Sequence, residues 1–219
     1  MTEEKRNKGL IFQFIMLMLL LAVTPIGTYF WMKEGVDYRA KRLAELEDFG
    51  RIGNFESINA KGTAFDTTDT AGKMILVTLL EGDDAAVKKR VERIELVENQ
   101  MEEQLDQRKD MLFLFYTTKS DLENYSKNLL VKENDKFVFV TVSDAEMNRI
   151  KKDVFYFENA KKIGVEIENP LALVDLKGKI RHYYDPFKND DMGKLVEHMA
   201  MILPQDKDKD IVFRRESEK

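Results

Sequence analysis

The longest hydrophobic segment of the chain lies near its N-terminus, where residues 9–32 read GLIFQFIMLMLLLAVTPIGTYFWM. These 24 residues contain no charged side chain. A helix needs about 20 apolar residues to cross the hydrocarbon core of a bilayer, so this segment can span a membrane with some tilt. Pro25 is tolerated in a membrane helix, and Tyr29 and Trp31 lie at the end where aromatic rings prefer the headgroup region. The pattern predicts one transmembrane helix.

A cleaved signal peptide is the alternative interpretation of this segment. Its apolar region would have about 7–15 residues and would end in small side chains. The segment here is longer and ends in Tyr-Phe-Trp-Met, which favours a retained anchor. Basic residues occur on both sides of it, so the charge distribution does not decide which side of the membrane the rest of the chain occupies.

The hydrophobic pattern divides the remainder of the chain into four parts. Residues 1–8 form a polar N-terminal segment, and residues 33–49 have the helix-forming and charged side chains of a stalk or linker helix. Residues 50–204 alternate short apolar runs with amphipathic stretches, which indicates one folded domain. Residues 205–219 form a charged C-terminal tail.

The strands of this domain are predicted from apolar runs and turn signals. Met74–Leu80 and Met111–Thr117 are continuous apolar runs, as expected for strands buried on both faces. Phe137–Val142 is a third candidate. Two hairpins accompany them: one within Gly53–Phe65, with a turn at Asn59-Ala60-Lys61-Gly62, and one joining Leu171–Asp175 to Ile180–Tyr184 through Lys177-Gly178.

Four helices are predicted between or after these strands. The first runs from Ala85 to about Lys109, with Asp83 or Asp84 as its N-cap and apolar residues at spacings of three and four. Its charged residues, Arg90 among them, are interpreted as a solvated surface, with a partner-binding helix as the alternative. The others are Ser120–Leu130; Asp144–Phe157, opened by a capping box of Ser143 and Glu146; and Met192–Leu203, capped by Asp190 or Asp191 and stopped by Pro204.

This order of elements indicates an α/β fold. A strand, a long helix, a strand and a second helix are followed by a hairpin and a terminal helix, which is the order of a thioredoxin-like domain. Such a domain has a mixed central sheet flanked by helices. Other three-layer α/β folds share the first half of the order.

The absence of cysteine restricts the chemistry more than any other feature of the composition. It excludes thiol–disulfide exchange, thiol peroxidase chemistry, iron–sulfur clusters and thiolate zinc sites. The formal net charge of -5 gives no basic surplus for binding nucleic acid. No glycine-rich phosphate loop, HExxH or GxSxG motif is present. We therefore predict neither enzyme activity nor a nucleic-acid partner.

The two histidines are the remaining candidates for metal binding. His198, Met199 and Met201 cluster near the C-terminus, and methionine and neutral histidine suit Cu(I). On a helix, however, residues 198 and 199 point in different directions, and methionine at helical spacing is more often core filler. His182 lies in a predicted strand with no second histidine near it in sequence, which favours a structural role. The sequence predicts no bound metal and no cofactor.

Three stretches of the domain carry a family resemblance. The first is Phe49–Phe55, followed by Thr70-Ala71-Gly72-Lys73 and the strand from Met74; the second is Leu173–Tyr184; the third is His198-Met199 ahead of Pro204. Together with the N-terminal anchor, these stretches resemble the Sco/SenC family over residues 45–204. Members of that family are membrane-anchored, thioredoxin-like factors of cytochrome c oxidase assembly.

The copper ligands of the family have no counterparts in this sequence. The family has a CxxxC motif at the start of its first long helix, which falls at Gly82 and Ala86 here. Its copper-binding histidine lies ahead of the last hairpin, where this chain reads Val165-Glu166-Ile167-Glu168-Asn169-Pro170. The resemblance therefore implies a vestigial active-site turn that has lost its metal ligands, made of Glu81, Gly82, Asp83, Asp84 and Ala86.

Pro170 resembles the proline that faces the active-site turn in many thioredoxin-like domains, and we interpret it as a cleft proline. Its peptide bond can then be cis, since only X–Pro bonds adopt that form cheaply; a plain turn proline before a strand is the alternative. The carboxylates Glu81, Asp83 and Asp84 are explained by capping and by the favourable position of negative charge at a helix start.

The resemblance implies a non-catalytic, membrane-anchored protein that associates with respiratory oxidase subunits or assembly factors. Its domain would face the bacterial periplasm or the mitochondrial intermembrane space. The alternative is a carrier of copper or of a small ligand that uses the vestigial cleft. A hydrolase with an unrecognised site would need a pocket in which polar groups converge and pKa values are shifted.

Overall fold

In a computed structural model, which describes residues 3–101, 110–129 and 136–203, the chain forms two compact units, Met1–Ala44 and Glu45–Lys219. The first unit is a single helix, α1 (Glu3–Ala44). Within Phe12–Ala44 it is long and apolar enough to cross a membrane, with a mean hydropathy of 1.9 in its apolar window. Its large apolar side chains from Phe12 onward are exposed.

Helix α1 continues through Pro25 without a break. Proline removes one backbone donor from the helix. In the turns around it, the Thr24 hydroxyl donates to the carbonyl of Leu20 over 2.7 Å and the Thr28 hydroxyl to the carbonyl of Thr24 over 2.8 Å. The same helix includes the first part of the segment interpreted as a stalk, so the predicted anchor and the start of the stalk are one element.

The second unit is built on a seven-stranded sheet with the order β2-β1-β5-β4-β3-β6-β7. Strands β3, β4 and β5 are mutually parallel, while β1, β2, β6 and β7 pair antiparallel with their neighbours. The strands are β1 (Glu56–Asn59), β2 (Ala64–Asp66), β3 (Met74–Leu79), β4 (Met111–Thr117), β5 (Phe137–Thr141), β6 (Leu171–Val174) and β7 (Ile180–Tyr184).

The two predicted apolar runs form the centre of this sheet. Every residue of β3 and of β4 is buried, and the two strands pair in register from Met74 with Met111 to Leu79 with Tyr116. On the other side of β3, the antiparallel strand β6 pairs Val77 with Ala172. The predicted hairpins are also present, as β1–β2 and β6–β7.

Helices cover both faces of the sheet. The core on one face includes α2 (Asp84–Gln100), α3 (Leu122–Leu129) and α5 (Asn189–Ile202). The core on the other face includes α4 (Asp144–Arg149) and the segment that follows it. The domain is therefore a three-layer α/β fold with a mixed sheet, as the element order predicted.

Helix α2 ends at Gln100, inside the range predicted for it. Met101 is its C-cap, and its amide donates to the carbonyls of Val97 and Glu98. The rest of the predicted helix, residues 102–109, lies outside the described residues.

The predicted helix Asp144–Phe157 is divided into three pieces. Helix α4 gives way to a π-helical turn, Ile150–Val154; then Tyr156 adopts a left-handed conformation with φ 47°, and a 3-10 helix follows at Phe157–Ile163. Tertiary donors take the carbonyls that a continuous helix would use. The Gly53 amide donates to Val154 over 3.1 Å, and the Tyr183 hydroxyl lies 2.8 Å and 3.0 Å from the carbonyls of Phe155 and Tyr156.

Two predicted caps differ in detail. Ser143 caps α4 by accepting from the Glu146 amide over 3.2 Å, but the Glu146 carboxylate accepts from Arg149 Nε over 2.8 Å. The closing helix α5 begins at Asn189, three residues before the predicted start, and neither Asp190 nor Asp191 is its N-cap. Asp191 instead accepts from the Asp185 amide over 3.0 Å. Pro204, predicted to stop this helix, lies outside the described residues.

Two glycine substitutions are expected to have opposite effects on the stability of this domain. A Cβ at Gly53 would lie 2.5 Å from the Asp153 carbonyl oxygen, so Gly53→Ala must displace the backbone of the π-helical turn. We expect it to lower the free energy of unfolding by about 2 kcal/mol. A Cβ at Gly193, inside α5, would meet no atom within 4 Å, so Gly193→Ala should raise stability by about 0.5–1 kcal/mol.

Denaturant unfolding of the full chain in detergent, followed by near-ultraviolet circular dichroism of the buried tyrosines Tyr116, Tyr183 and Tyr184, measures both effects. A Gly53→Ala protein as stable as the parent would contradict the close packing of this backbone.

Candidate functional site

A cleft lies at the end of β3, where the sequence places the vestigial turn. It has a volume of about 460 Å³. Four of the five predicted turn residues line it, Glu81, Gly82, Asp83 and Ala86, and Asp84 does not. The other lining residues are Arg90, Lys151, Ile167, Glu168 and Asn169.

The turn is shaped by local backbone interactions. Gly82 has φ 110°, a backbone conformation that residues other than glycine rarely adopt. Asp83 then caps α2, its carboxylate accepting from the Ala86 amide over 2.8 Å. This cap satisfies one of the free amides at the helix start and places negative charge there. The prediction that Asp83 or Asp84 caps this helix is therefore confirmed, with Asp83 as the cap.

The opposite wall is the segment that leads into β6. Asn169 is buried, and its Oδ1 has no hydrogen-bond partner among the described residues. Pro170 follows it, and the peptide bond between them is trans, so the cis form considered for this proline is not adopted. Pro170 is buried and does not line the cleft. From this segment Ile167, Glu168 and Asn169 line the cleft, and Pro170 does not.

Arg90 and Lys151 are among the cleft residues that reasoning from the sequence missed. Arg90 was interpreted as part of a solvated surface, but it is only 3 % exposed. Its Nη1 donates to the carbonyl of Leu79 over 2.6 Å and lies 3.5 Å from that of Glu81, while Cζ lies 5.8 Å from the ring centre of Phe187. Burial lowers the pKa of Arg90 from its ordinary value, and the nearby Glu81 carboxylate opposes this change.

The same helix buries two carboxylates that were also assigned to the solvated surface, Glu95 and Glu98. Glu98 lies 3.5 Å from Lys136 Nζ, at the start of β5. These charged residues differ from their exposed neighbours because other elements of the fold cover them. The local sequence does not indicate which residues will be covered.

A salt bridge joins the two sides of the cleft. Lys151, from the π-helical turn, pairs with the Glu81 carboxylate. Single-turn π-helical segments occur often at functional sites, and this one brings a cation to the mouth of the cleft. The cleft therefore combines a buried arginine, a surface ion pair and a buried amide.

The cleft does not have the chemistry of a copper site. At the positions that the resemblance assigns to the family's thiolates stand Gly82 and Ala86, which have no ligand atoms in their side chains. The segment ahead of the last hairpin supplies Glu168 and Asn169, whose oxygens are hard ligands unsuited to Cu(I). Among the residues that the structure describes, no group of three or more His, Asp or Glu side chains could hold a metal ion.

The two histidines lie together, which their separation in sequence did not indicate. The ring centres of His182 and His198 are 5.4 Å apart, and Nδ1 of His198 is 2.8 Å from the hydroxyl of Tyr184. Met199 is buried in the core, whereas Met201 is only partly buried. The pair forms because strand β7 and helix α5 pack against each other.

Comparison with known proteins supports the fold assignment. No protein-family model matches the sequence, and no curated protein does. Solved structures do match. The fold is that of the Sco proteins.

Three of these structures illustrate the likeness. A SCO1/SenC family lipoprotein from Bacillus anthracis aligns with a TM-score of 0.56 and 16% identity over 71% of this chain and 97% of its own. BsSco, a member of the Sco family of cytochrome c oxidase assembly proteins, aligns at 0.55 and 15% over 72% and 98%. A putative protein disulfide isomerase from Bacteroides thetaiotaomicron aligns at 0.54 and 13% over 75% and 94%. The thioredoxin-like fold predicted from the sequence is therefore confirmed.

The stability of the domain is expected to decrease in mild acid because of His182. Burial, followed by the neighbouring His198 and Lys194, lowers the pKa of His182 from 6.5 to about 4, against the opposing effect of Glu45 and Asp191. Between these two values the unfolded chain binds more protons than the folded one. The contribution of neutral His182 to the free energy of unfolding is therefore fully present above pH 6.5. It decreases toward pH 4, by at most about 1.4 kcal/mol per pH unit.

The measurement is the free energy of unfolding of the full chain in detergent at a series of pH values from 7 down to 4. His182→Gln should flatten this dependence, because glutamine does not titrate. Equal slopes for the variant and the parent would show that His182 does not titrate in this way.

Proposed function

We propose that this chain is a membrane-anchored, non-catalytic Sco-like protein that binds a respiratory cytochrome c oxidase, or an assembly intermediate of it, through protein contacts. Its domain would lie in the bacterial periplasm or in the mitochondrial intermembrane space. Helix α1 would hold it at the membrane. The residues interpreted as the vestigial turn would form part of the binding surface.

The observation that carries this proposal is a Sco fold whose cleft contains no thiol and no imidazole. The cleft is instead held by contacts among polar side chains, including the Glu81–Lys151 salt bridge and the Asp83 cap. Function depends on the site more than on the fold. A shaped cleft without redox or soft metal ligands is suited to recognition rather than to electron or copper transfer.

The anchor gives this proposal further physical support. A helix that spans the bilayer confines the domain to the same surface as a membrane-embedded oxidase. Confinement raises the effective concentration of one partner toward the other, so a modest interface is sufficient for association.

A carrier of a small ligand is the second candidate, and the unpartnered Oδ1 of Asn169 favours it. Titration of the full chain in detergent with Cu(I) tests the copper form of this function. We expect no binding at micromolar Cu(I), because the side chains lining the cleft offer no soft ligand. Stoichiometric binding in that range would instead favour the carrier.

Affinity purification from the native membrane tests the docking function. The full chain with a C-terminal tag, solubilised in mild detergent, should retain oxidase subunits or assembly factors, identified by mass spectrometry. The matched control is an unrelated single-span protein with the same tag and expression level. If the tagged chain is recovered alone while the oxidase stays intact in the same extract, the docking function is wrong.

A further inference from the structure

The last twelve residues of α1, residues 33–44, continue the helix beyond the apolar segment 9–32. We call them the stalk helix. Six of the twelve are charged, so a bilayer that holds the apolar segment does not cover this part of α1. At 1.5 Å per residue the stalk helix would extend about 18 Å from the membrane. Because helices in proteins owe most of their stability to the packing of an amphipathic face, its surface pattern indicates what it contacts.

One face of the stalk helix is apolar. Val36, Ala40 and Leu43 recur at spacings of four and three, which places them within about 60° of one another around the helix axis. Val36 is 64 % exposed and Leu43 is 43 % exposed. Toward the membrane the same apolar stripe continues through Met32 and Tyr29, which are also exposed. Spacings of three and four are typical of a helix that packs lengthwise against a second helix.

Basic side chains border the apolar stripe on both sides. Lys33 and Arg39 each lie about 60° from Val36, in opposite directions around the axis. Both are exposed, and neither makes a hydrogen bond or an ion pair with any residue that the structure describes. The acidic residues of the stalk helix lie further from the stripe, with Asp37 about 100° and Glu34 about 160° from Val36. This face is therefore complementary to one with acidic flanks.

The same charges disfavour two other occupants of the stripe. A second copy of this chain in the same membrane would be parallel and at the same depth, so its Lys33 and Arg39 would oppose the same basic flanks. The plane of the lipid headgroups is disfavoured by the continuity of α1. The helix passes from the apolar segment into the stalk helix without a break, so its two parts do not take different directions.

We propose that the stalk helix packs against a helix of the partner membrane protein that leaves the bilayer beside α1 and carries Asp or Glu on both sides of an apolar stripe. The inference rests on the proposed function, since it names a surface through which the partner is bound. Exposed ion pairs contribute little affinity, so the charges select the partner while the stripe supplies the contact area. Confinement of both helices to one membrane makes a narrow interface sufficient.

The probe is a synthetic single-span peptide with an oligoleucine span, followed by a helix that repeats the spacing of the stripe with Val and Leu and has Glu on both flanks. A second probe differs only in having Lys on the flanks. The full chain and each probe carry donor and acceptor dyes at their N-termini, and energy transfer is measured in phosphatidylcholine vesicles. We expect saturable transfer with the Glu probe and at least about threefold weaker association of the Lys probe.

Variants of the full chain test the charges and the stripe separately. Arg39→Glu should weaken association with the Glu probe at least about threefold. Lys41→Glu makes the same change of charge about 140° from Val36 and is the matched control, with an expected effect below about 1.5-fold. Val36→Gln combined with Leu43→Gln should weaken both probes at least about tenfold, because the apolar contact is lost. Circular dichroism checks that each variant keeps its helix content.

Three results would overturn the inference. The first is equal association of the two probes, or equal effects of Arg39→Glu and Lys41→Glu. The second is stronger energy transfer between two labelled copies of the chain than with the Glu probe, which would assign the stripe to a dimer. The third is complete loss of transfer when about a third of the lipid is phosphatidylglycerol, which would assign the basic flanks to anionic headgroups.

The purification experiment separates this inference from the proposed function. Arg39→Glu should retain fewer oxidase subunits than the parent chain and than Lys41→Glu. Equal retention by all three chains would leave the docking function intact and show that the stalk helix does not contribute to it. Association with the Glu probe by a chain that retains no oxidase would support the stalk surface and contradict the proposed partner.

Discussion

The position of β3 (Met74–Leu79) at the centre of the sheet determines where the cleft lies and what it contains. The strand is buried on both faces and hydrogen-bonded to a neighbour on each side, parallel to β4 and antiparallel to β6. Since β6 runs in the opposite direction, its first residues lie beside the last residues of β3. This register brings Asn169 to the turn that starts at Glu81, although 88 positions separate them in the sequence.

The buried charge of Arg90 is the energetic consequence of this arrangement. A guanidinium removed from water loses its hydration free energy. Hydrogen bonds to the backbone carbonyls at the end of β3 compensate only part of this loss. An apolar residue of similar volume at this position would be expected to make the folded domain more stable. Groups that are costly in the folded state and lie in a cleft are typical of binding sites, where stability is exchanged for function.

The fold and the site lead to different kinds of conclusion about this protein. The Sco proteins and a disulfide isomerase share the fold at low identity, so the fold alone does not select among their activities. The chemistry of the cleft therefore bears on the choice, since Gly82 and Ala86 stand where the resemblance places soft ligands. The proposed docking function rests on this difference, on the shape of the cleft and on a helix that is long and apolar enough to cross a membrane.

The sequence by itself determined the elements whose signals are local: the apolar α1, the continuous runs of β3 and β4, the two hairpins and the Asp83 cap. Each depends on neighbours within a few residues. Only the tertiary structure decided that Arg90 is buried, that His182 meets His198, and that the Tyr183 hydroxyl bonds to the backbone just after the π-helical turn. Burial and hydrogen-bond partners depend on which distant elements pack together. The residues next to a charged or helix-forming position in the sequence do not indicate this packing.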